Sequence, residues 1–142
     1  MTDISILLPV FAQVALTFAL GIWLAAARYG AVRAGTSRVR DIALGQPAWP
    51  ARVIQIANCF ANQFEMPVLF YVLAVLVVLT GTSDGVMIGL AWGFVTLRVV
   101  HAAIHTTRND VRYRFYVFLA GSGLLAIMWL ILGVRTLASG GP

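Results

Sequence analysis

Two groups of polar residues recur at helical spacing within apolar parts of the sequence. The first group has steps of three, four and three, and comprises Gln55, Asn58, Asn62 and Glu65. The second group has the same steps, and comprises Arg98, His101, His105 and Arg108. At about 3.6 residues per turn, each group falls on one face of a helix. Glu65 is the only glutamate of the chain, so one carboxylate accompanies a set of amide, imidazole and guanidinium groups.

These side chains could serve three kinds of ligand. His101 and His105, at i and i+4, could bind zinc together with Glu65, but arginines on the same face disfavour a dication. Two histidines on one helix face cannot bind a haem iron from opposite sides. A small zwitterionic or polyanionic ligand uses more of the residues, since its carboxylates would meet the arginines and its amine would meet Glu65. We therefore predict an organic ligand and no metal site.

A structural interpretation stands beside the functional one. Asparagine and glutamine in membrane helices commonly join helices to one another, and an arginine near a helix end commonly reaches the interface. Ionisable residues within an apolar span are costly, however, and usually mark a functional site. The complementary charges of the two groups favour a site.

The elements that carry these groups are too apolar for a soluble protein. Of the 142 residues, 61% are hydrophobic and 11% are charged, whereas soluble domains have about 45–50% and about 25%. A helix needs about 20 apolar residues to cross the hydrocarbon, and backbone groups in lipid must bond within their own segment. We predict an all-α integral membrane fold, one domain over 1–142, with a polar loop at 28–52. The predicted helices of this four-helix bundle cover about 4–27, 53–80, 86–105 and 113–137.

The arginines predict the orientation of the bundle. The predicted first loop includes Arg28, Arg33, Arg38 and Arg40. Three more surround the turn before the fourth helix, at Arg108, Arg112 and Arg114. Because arginine-rich loops stay cytoplasmic, both termini are predicted to be non-cytoplasmic.

The first apolar run lacks a basic start and is too long for a signal-peptide core, so we expect it to be retained. The net charge of +5 is not gathered on a soluble face, so no nucleic-acid partner is expected.

Pro67 predicts a kink in the second helix. Its ring removes one backbone donor and crowds the carbonyl of Gln63. That carbonyl is then available to another partner.

Two sequence motifs resemble those of a known family. Residues 62–70 read NQFEMPVLF, which resembles the helix-two signature N-x-x-E…P-x-x-F of the MAPEG superfamily, the membrane-associated proteins in eicosanoid and glutathione metabolism. The run Arg98-x-x-His101-x-x-x-His105, followed by Arg112-x-x-x-Tyr116, resembles the segment between its third and fourth helices. The likeness is to a bacterial-type member. It covers about 53–121, and the four-helix layout covers the rest.

The resemblance implies a homotrimer in the bacterial inner membrane, with sites between adjacent subunits that bind glutathione. By the same likeness, Asn62 would contact the peptide and Glu65 its amino group, while Arg112 would be the catalytic residue that stabilises the thiolate. The other residues implied in ligand binding are Asn58, Arg98, His101, His105, Tyr116 and a first-loop arginine, Arg28 or Arg33. Two positions differ from the pattern. Asn58 or Ala61 stands where members that bind glutathione usually carry arginine, and His105 stands where catalytic members often have tyrosine.

The expected function is a glutathione-dependent transferase or peroxidase that acts on lipophilic electrophiles entering from membrane lipid. The alternative is a non-catalytic membrane scaffold or lipid-binding subunit with the same fold. The sequence leaves open whether the protein is an enzyme.

Overall fold

The computed structural model describes residues 5–43 and 48–139, which contain helices and no strand. By length and hydropathy, four spans could cross a membrane: one from each of α1, α4 and α5, and one from α2 and α3 together. This confirms the predicted all-α fold with four spans. The five α-helices are α1 (Leu7–Arg33), α2 (Ala51–Ala61), α3 (Met66–Leu79), α4 (Gly85–Thr106) and α5 (Val111–Ser139). Short 3₁₀ turns cover Val39–Asp41 and Asn62–Phe64.

The first helix continues past its predicted end at 27 and reaches Arg33. Its C-terminal turn closes with bonds from the Gly35 amide to the Val32 carbonyl and from the Thr36 amide to the Ala31 carbonyl. Gly35 has φ +72°, a conformation that glycine adopts without strain at such helix ends. The loop therefore starts later than residue 28, because the helix continues through Gly30 and ends only where Gly35 adopts a positive φ.

The second span is interrupted between α2 and α3. Residues Asn62–Phe64 form a 3₁₀ turn, and Glu65 lies outside the helical region at φ −99° and ψ −103°. Pro67 occupies the first turn of α3, where its missing donor is tolerated. The kink predicted at Pro67 is thus a full break in the helix. Backbone carbonyls at the break need partners from other helices, because lipid offers none.

Apolar packing holds the helices on either side of this break. On one side, a buried cluster joins α3, α4 and α5 and includes Phe70, Phe94 and Met128. On the other side, Leu24 of α1 packs against Ile56 of α2. Large apolar residues remain exposed on the outer surface, as expected where lipid rather than water covers a protein.

The C-terminus of α4 is capped by side chains of α2. The last carbonyls of a helix lack partners within the helix. Here Arg52 donates to the Thr106 carbonyl, and Gln55 Nε2 donates to the His105 carbonyl at 2.7 Å. The Arg52 guanidinium also lies over the Trp23 ring of α1, 5.2 Å from its centroid. Gln55, predicted as part of a polar face, therefore joins α2 to α4.

An ion pair fixes the opposite end of the bundle. Asp84 is the N-cap of α4 and accepts from the Met87 amide at 2.9 Å. Its other oxygen lies 2.6 Å from Arg135 Nη2, and Arg135 Nη1 donates to the Thr82 carbonyl at 3.1 Å. The hydrogen bond from Arg135 lowers the pKa of Asp84 below its ordinary value, and the Met87 amide adds to the effect. Together these bonds join the turn between α3 and α4 to α5.

Asp84→Ala is expected to lower the free energy of unfolding in detergent by about 2 kcal/mol, because it removes both a cap and an ion pair. Asp84→Asn keeps the cap and should lose about 1 kcal/mol or less, since solvent screens a partly exposed pair. The lowered pKa means that the ion pair stabilises the fold above about pH 4 and that this contribution is lost as pH falls further. Unfolding curves from pH 7 to pH 3 should therefore converge for wild type and Asp84→Asn. A gap that stays constant with pH would contradict this role.

The predicted orientation can be tested by cysteine labelling from outside intact cells. Val39 is 69% exposed in the first loop, and the native Cys59 is buried, so background labelling should be low. A membrane-impermeant thiol reagent should label a cysteine at position 3 but not Val39→Cys, because the arginine-rich loop stays cytoplasmic. The reverse pattern would show that the bundle is inverted.

Candidate functional site

A cavity of about 250 Å³ opens between the helix break, α4 and α5. It brings together three residues of the predicted site, Asn62, Glu65 and His101, with Arg114 of α5. Apolar side chains complete its lining: Val111, Phe115 and Phe118. The cavity thus offers an amide, a carboxylate, an imidazole and a guanidinium beside aromatic rings.

Asn62 links the carboxylate of the cavity to a buried arginine behind it. Both terminal nitrogens of Arg98 donate to Asn62 Oδ1 at 3.1 Å, and Arg98 Nη2 also donates to the Asn62 carbonyl at 2.8 Å. The amide nitrogen of Asn62 in turn donates to Glu65 Oε2 at 3.2 Å. Among the residues that the structure describes, no ion pair joins Glu65 to an arginine. Glu65 and Arg98 are therefore linked indirectly, through Asn62.

Arg98 fixes the helix break rather than lining the cavity. The side chain is 3% exposed, and it binds the Asn62 carbonyl, which would accept a bond from residue 66 in an unbroken helix. The interrupted backbone is thus satisfied by a guanidinium from α4. Arg98 therefore fixes the position of the Asn62 amide at the edge of the cavity.

The two histidines of α4 are buried side by side. His101 lines the cavity and His105 does not, and their ring centroids lie 5.7 Å apart in an edge-to-face arrangement. Neither Nδ1 atom has a hydrogen-bond partner within residues 5–43 and 48–139. The same residues contain no group of three His, Cys, Asp or Glu side chains that could hold a metal ion.

The arginine that reaches the cavity from α5 is Arg114. Its Nη1 donates to Asn109 Oδ1 at 2.6 Å, and Asn109 has φ +52° in the turn before α5. Arg112 and Tyr116, which the resemblance implies in catalysis and binding, are exposed and do not line the cavity. Arg114 and Phe118 do line it, and they have the same four-residue spacing two positions later. That repeated spacing is the signal by which sequence reasoning could have found them.

The remaining predicted ligand-binding residues lie apart from the cavity. Asn58 is exposed on α2, and Arg33 is exposed at the last residue of α1. Arg28 stacks instead on Trp49, with its guanidinium carbon 5.3 Å from the ring centroid. The candidate site of this chain is therefore built from the helix break, α4 and α5.

A buried amide pair joins α1 to the helix break, and the sequence analysis missed it. Gln13 Nε2 donates to Gln63 Oε1 at 3.0 Å, and Gln63 Nε2 donates to the Cys59 carbonyl at 2.9 Å. Both glutamines are at most 1% exposed. Gln63 also lines a largely apolar cavity of about 530 Å³ between α1 and the break, with aromatic residues such as Phe60 and Tyr71. The signal for the pair was an isolated amide, Gln13, in the first apolar run.

Four apolar spans, the second of them broken beside a polar cavity, are those of an integral membrane helical bundle. The chain belongs to the MAPEG family, whose family model matches residues 6–134. Comparison with curated proteins and with solved structures gave no match. The family resemblance of the sequence motifs is thus confirmed, and the protein is a membrane protein of the superfamily that acts in eicosanoid and glutathione metabolism.

Proposed function

We propose that the protein is a glutathione-dependent transferase or peroxidase that acts on lipophilic electrophiles. The observation that supports this most is the joint presence of Glu65 and Arg114 in one cavity beside Asn62. Glutathione carries an amine, carboxylates, peptide groups and a thiol. A carboxylate, a guanidinium and an amide in the same cavity match that set of groups.

Each side chain would hold a different part of the tripeptide. The carboxylate of Glu65 would accept from the amine. Asn62 Nδ2 carries two hydrogens and gives one to Glu65, so the second is available to a peptide carbonyl. His101 would provide a further polar contact. Glutathione would supply the thiol, which is nucleophilic as its thiolate.

Arg114 is the arginine that we propose to favour that thiolate. It lines the cavity, whereas Arg112, which the sequence motif implies, is exposed beside it. A guanidinium donates five N–H bonds in all, and the contact with Asn109 leaves donors for a ligand. A positive charge next to the sulfur stabilises the thiolate over the thiol.

We also propose that the active form is a homotrimer in the bacterial inner membrane. Glu65 lies within the second span and is exposed in the isolated subunit. A carboxylate facing lipid is costly, so a neighbouring subunit is the favoured cover for this side of the cavity. Light scattering of the purified protein in detergent, corrected for bound detergent, should give three chains per particle.

The alternative is a non-catalytic scaffold or lipid-binding subunit. The observation in its favour is that polar groups near the cavity bind one another, since Arg98 donates to both oxygens of Asn62. His105, at the position implied for a catalytic tyrosine, is buried outside the cavity. In this alternative the polar residues only hold the broken helix together.

Two measurements on purified protein distinguish the alternatives. Under the proposal, millimolar glutathione raises the melting temperature, and the protein conjugates glutathione to an activated aryl halide. An absence of both effects, with several electrophiles tested, would contradict the proposed function and favour the scaffold.

Glu65→Gln should weaken glutathione binding by about tenfold or more, because a neutral amide cannot pair with the ligand's amine. Stability without ligand should change little, since glutamine can still accept the bond from Asn62. The measurement is the glutathione dependence of the melting temperature. Asp41→Asn, at an exposed carboxylate of the first loop, is the matched control. Equal binding by both variants would show that Glu65 does not contact the ligand.

A further inference from the structure

A second cavity lies on the other flank of the α4–α5 contact. It has a volume of about 410 Å³ and is lined by Ala103, Ile104, Thr107, Arg108, Asp110 and Tyr113. It shares no lining residue with the cavity around Asn62 and Glu65. On α5, residue 113 is about 140° around the helix from residue 118 of the first cavity. The two cavities therefore open on different sides of the subunit.

Arg108 gives this second cavity an unused positive charge. It is exposed, and it forms no hydrogen bond or ion pair with the rest of the described chain. The cavity's only carboxylate is already engaged, because Asp110 Oδ1 accepts from the amides of Arg112 at 2.9 Å and Tyr113 at 3.3 Å. Those bonds place the acidic group at the N-terminus of α5, where the helix dipole offsets part of its charge. An anion in the cavity would thus meet Arg108 as its principal charged partner.

The cavity lies where the third apolar span ends. Ala103 and Ile104 belong to the span that ends at Thr106, and Arg108 and Asp110 follow that end. At 1.5 Å per residue, Ile104 is roughly 3 Å deeper than Thr106, the last residue of α4, and Arg108 follows that end. Val100, one turn deeper again, is 40% exposed and continues the apolar surface. Tyr113 is 66% exposed at the start of α5, a position where aromatic residues prefer the membrane interface.

We propose that this cavity binds an anionic glycerophospholipid, with its phosphate on Arg108 and an acyl chain along Ala103 and Ile104. A guanidinium matches a phosphate by paired hydrogen bonds, and basic pockets between membrane helices are suited to such headgroups. The apolar floor favours a lipid over free phosphate, which would leave Ala103 and Ile104 uncovered. The proposal is independent of thiol chemistry and applies to the enzyme and the scaffold alike.

Binding of phosphatidylglycerol to the purified protein in detergent tests the proposal. Melting temperature is followed against lipid concentration for phosphatidylglycerol, for phosphatidylcholine with the same acyl chains, and for inorganic phosphate. Arg108→Gln should weaken the response to phosphatidylglycerol by about fivefold, the effect of one basic side chain near an anionic surface. Arg40→Gln is the matched control, since Arg40 is also exposed and the first loop lies at the same end of the bundle.

Ala103→Phe is a second variant, which fills the apolar part of the cavity and leaves Arg108 in place. It should weaken phosphatidylglycerol binding severalfold, and its melting temperature without lipid shows whether it folds. The proposal is supported if only Arg108→Gln and Ala103→Phe lose the response. It is overturned if Arg40→Gln loses as much as Arg108→Gln, if phosphatidylcholine stabilises equally, or if inorganic phosphate alone reproduces the effect.

Discussion

Arg98→Ala is expected to lower the free energy of unfolding in detergent by about 3 kcal/mol, because hydrogen bonds to charged groups contribute about 1.5–3 kcal/mol. The substitution removes the hydrogen bonds that Arg98 donates to the side chain and the main chain of Asn62. It leaves the carbonyl of Asn62 without its partner at a point where the helix cannot satisfy it. An unsatisfied backbone group is especially costly inside a membrane. The measurement is reversible unfolding by a denaturing detergent, or the melting temperature where unfolding is irreversible.

Arg98→Lys separates charge from geometry. A lysine keeps the positive charge but cannot bind the side-chain and main-chain oxygens of Asn62 with a planar fork, so it should recover only part of the lost stability. Arg112→Ala, at an exposed arginine, is the control and should have little effect. Wild-type stability in Arg98→Ala would show that the helix break does not depend on the bonds from Arg98 of α4.

Arg114→Ala should reduce kcat/KM for glutathione conjugation by at least about tenfold, since one pKa unit of thiolate stabilisation corresponds to about 1.4 kcal/mol. This prediction depends on the proposed function. Loss of the positive charge disfavours the thiolate, so the remaining activity should rise more steeply with pH than that of the wild type. Steady-state rates between pH 6 and pH 9 measure both effects.

Arg112→Ala is the matched substitution for this second experiment. Arg112 lies two residues before Arg114 and is the arginine that the sequence motif implies, but it does not line the cavity. We expect it to keep nearly full activity. A large loss in Arg112→Ala with normal activity in Arg114→Ala would restore the assignment from the motif and contradict the geometry. Arg114→Lys should retain part of the activity through its charge.

The number of spans was predictable because it depends only on lengths of apolar sequence. Four runs long enough to cross the hydrocarbon correspond to the four spans of the structure. The bounds were less predictable. Helix α1 reaches Arg33 because its end is set by a glycine that can adopt positive φ, rather than by the first arginine. The interruption lies at residues 62–65, just before the predicted kink at Pro67, and its open backbone is bonded by Arg98, a residue distant in sequence.

The candidate site was predictable in part, because some of its residues recur at helical spacing. Helical spacing identified Asn62, Glu65 and His101 as residues that could meet, and the structure brings them to one cavity. The sequence motif pointed to Arg112, whereas Arg114 lines the cavity, because the turn before α5, with Asn109 at positive φ, precedes a helix whose rotation the motif does not specify. That rotation is a tertiary property, and two arginines in equivalent motifs look alike in sequence.

The amide pair between Gln13 and Gln63 has a consequence for how the chain enters the membrane. Each glutamine is buried and bonded to the other in the bundle, but each would face hydrocarbon if its helix were inserted alone. Exposing polar side chains to lipid is unfavourable. We therefore expect the first two spans to leave the insertion machinery as a paired hairpin, with the hydrogen bond between the two side-chain amides formed during synthesis. The later spans would then add to a hairpin whose register is already fixed.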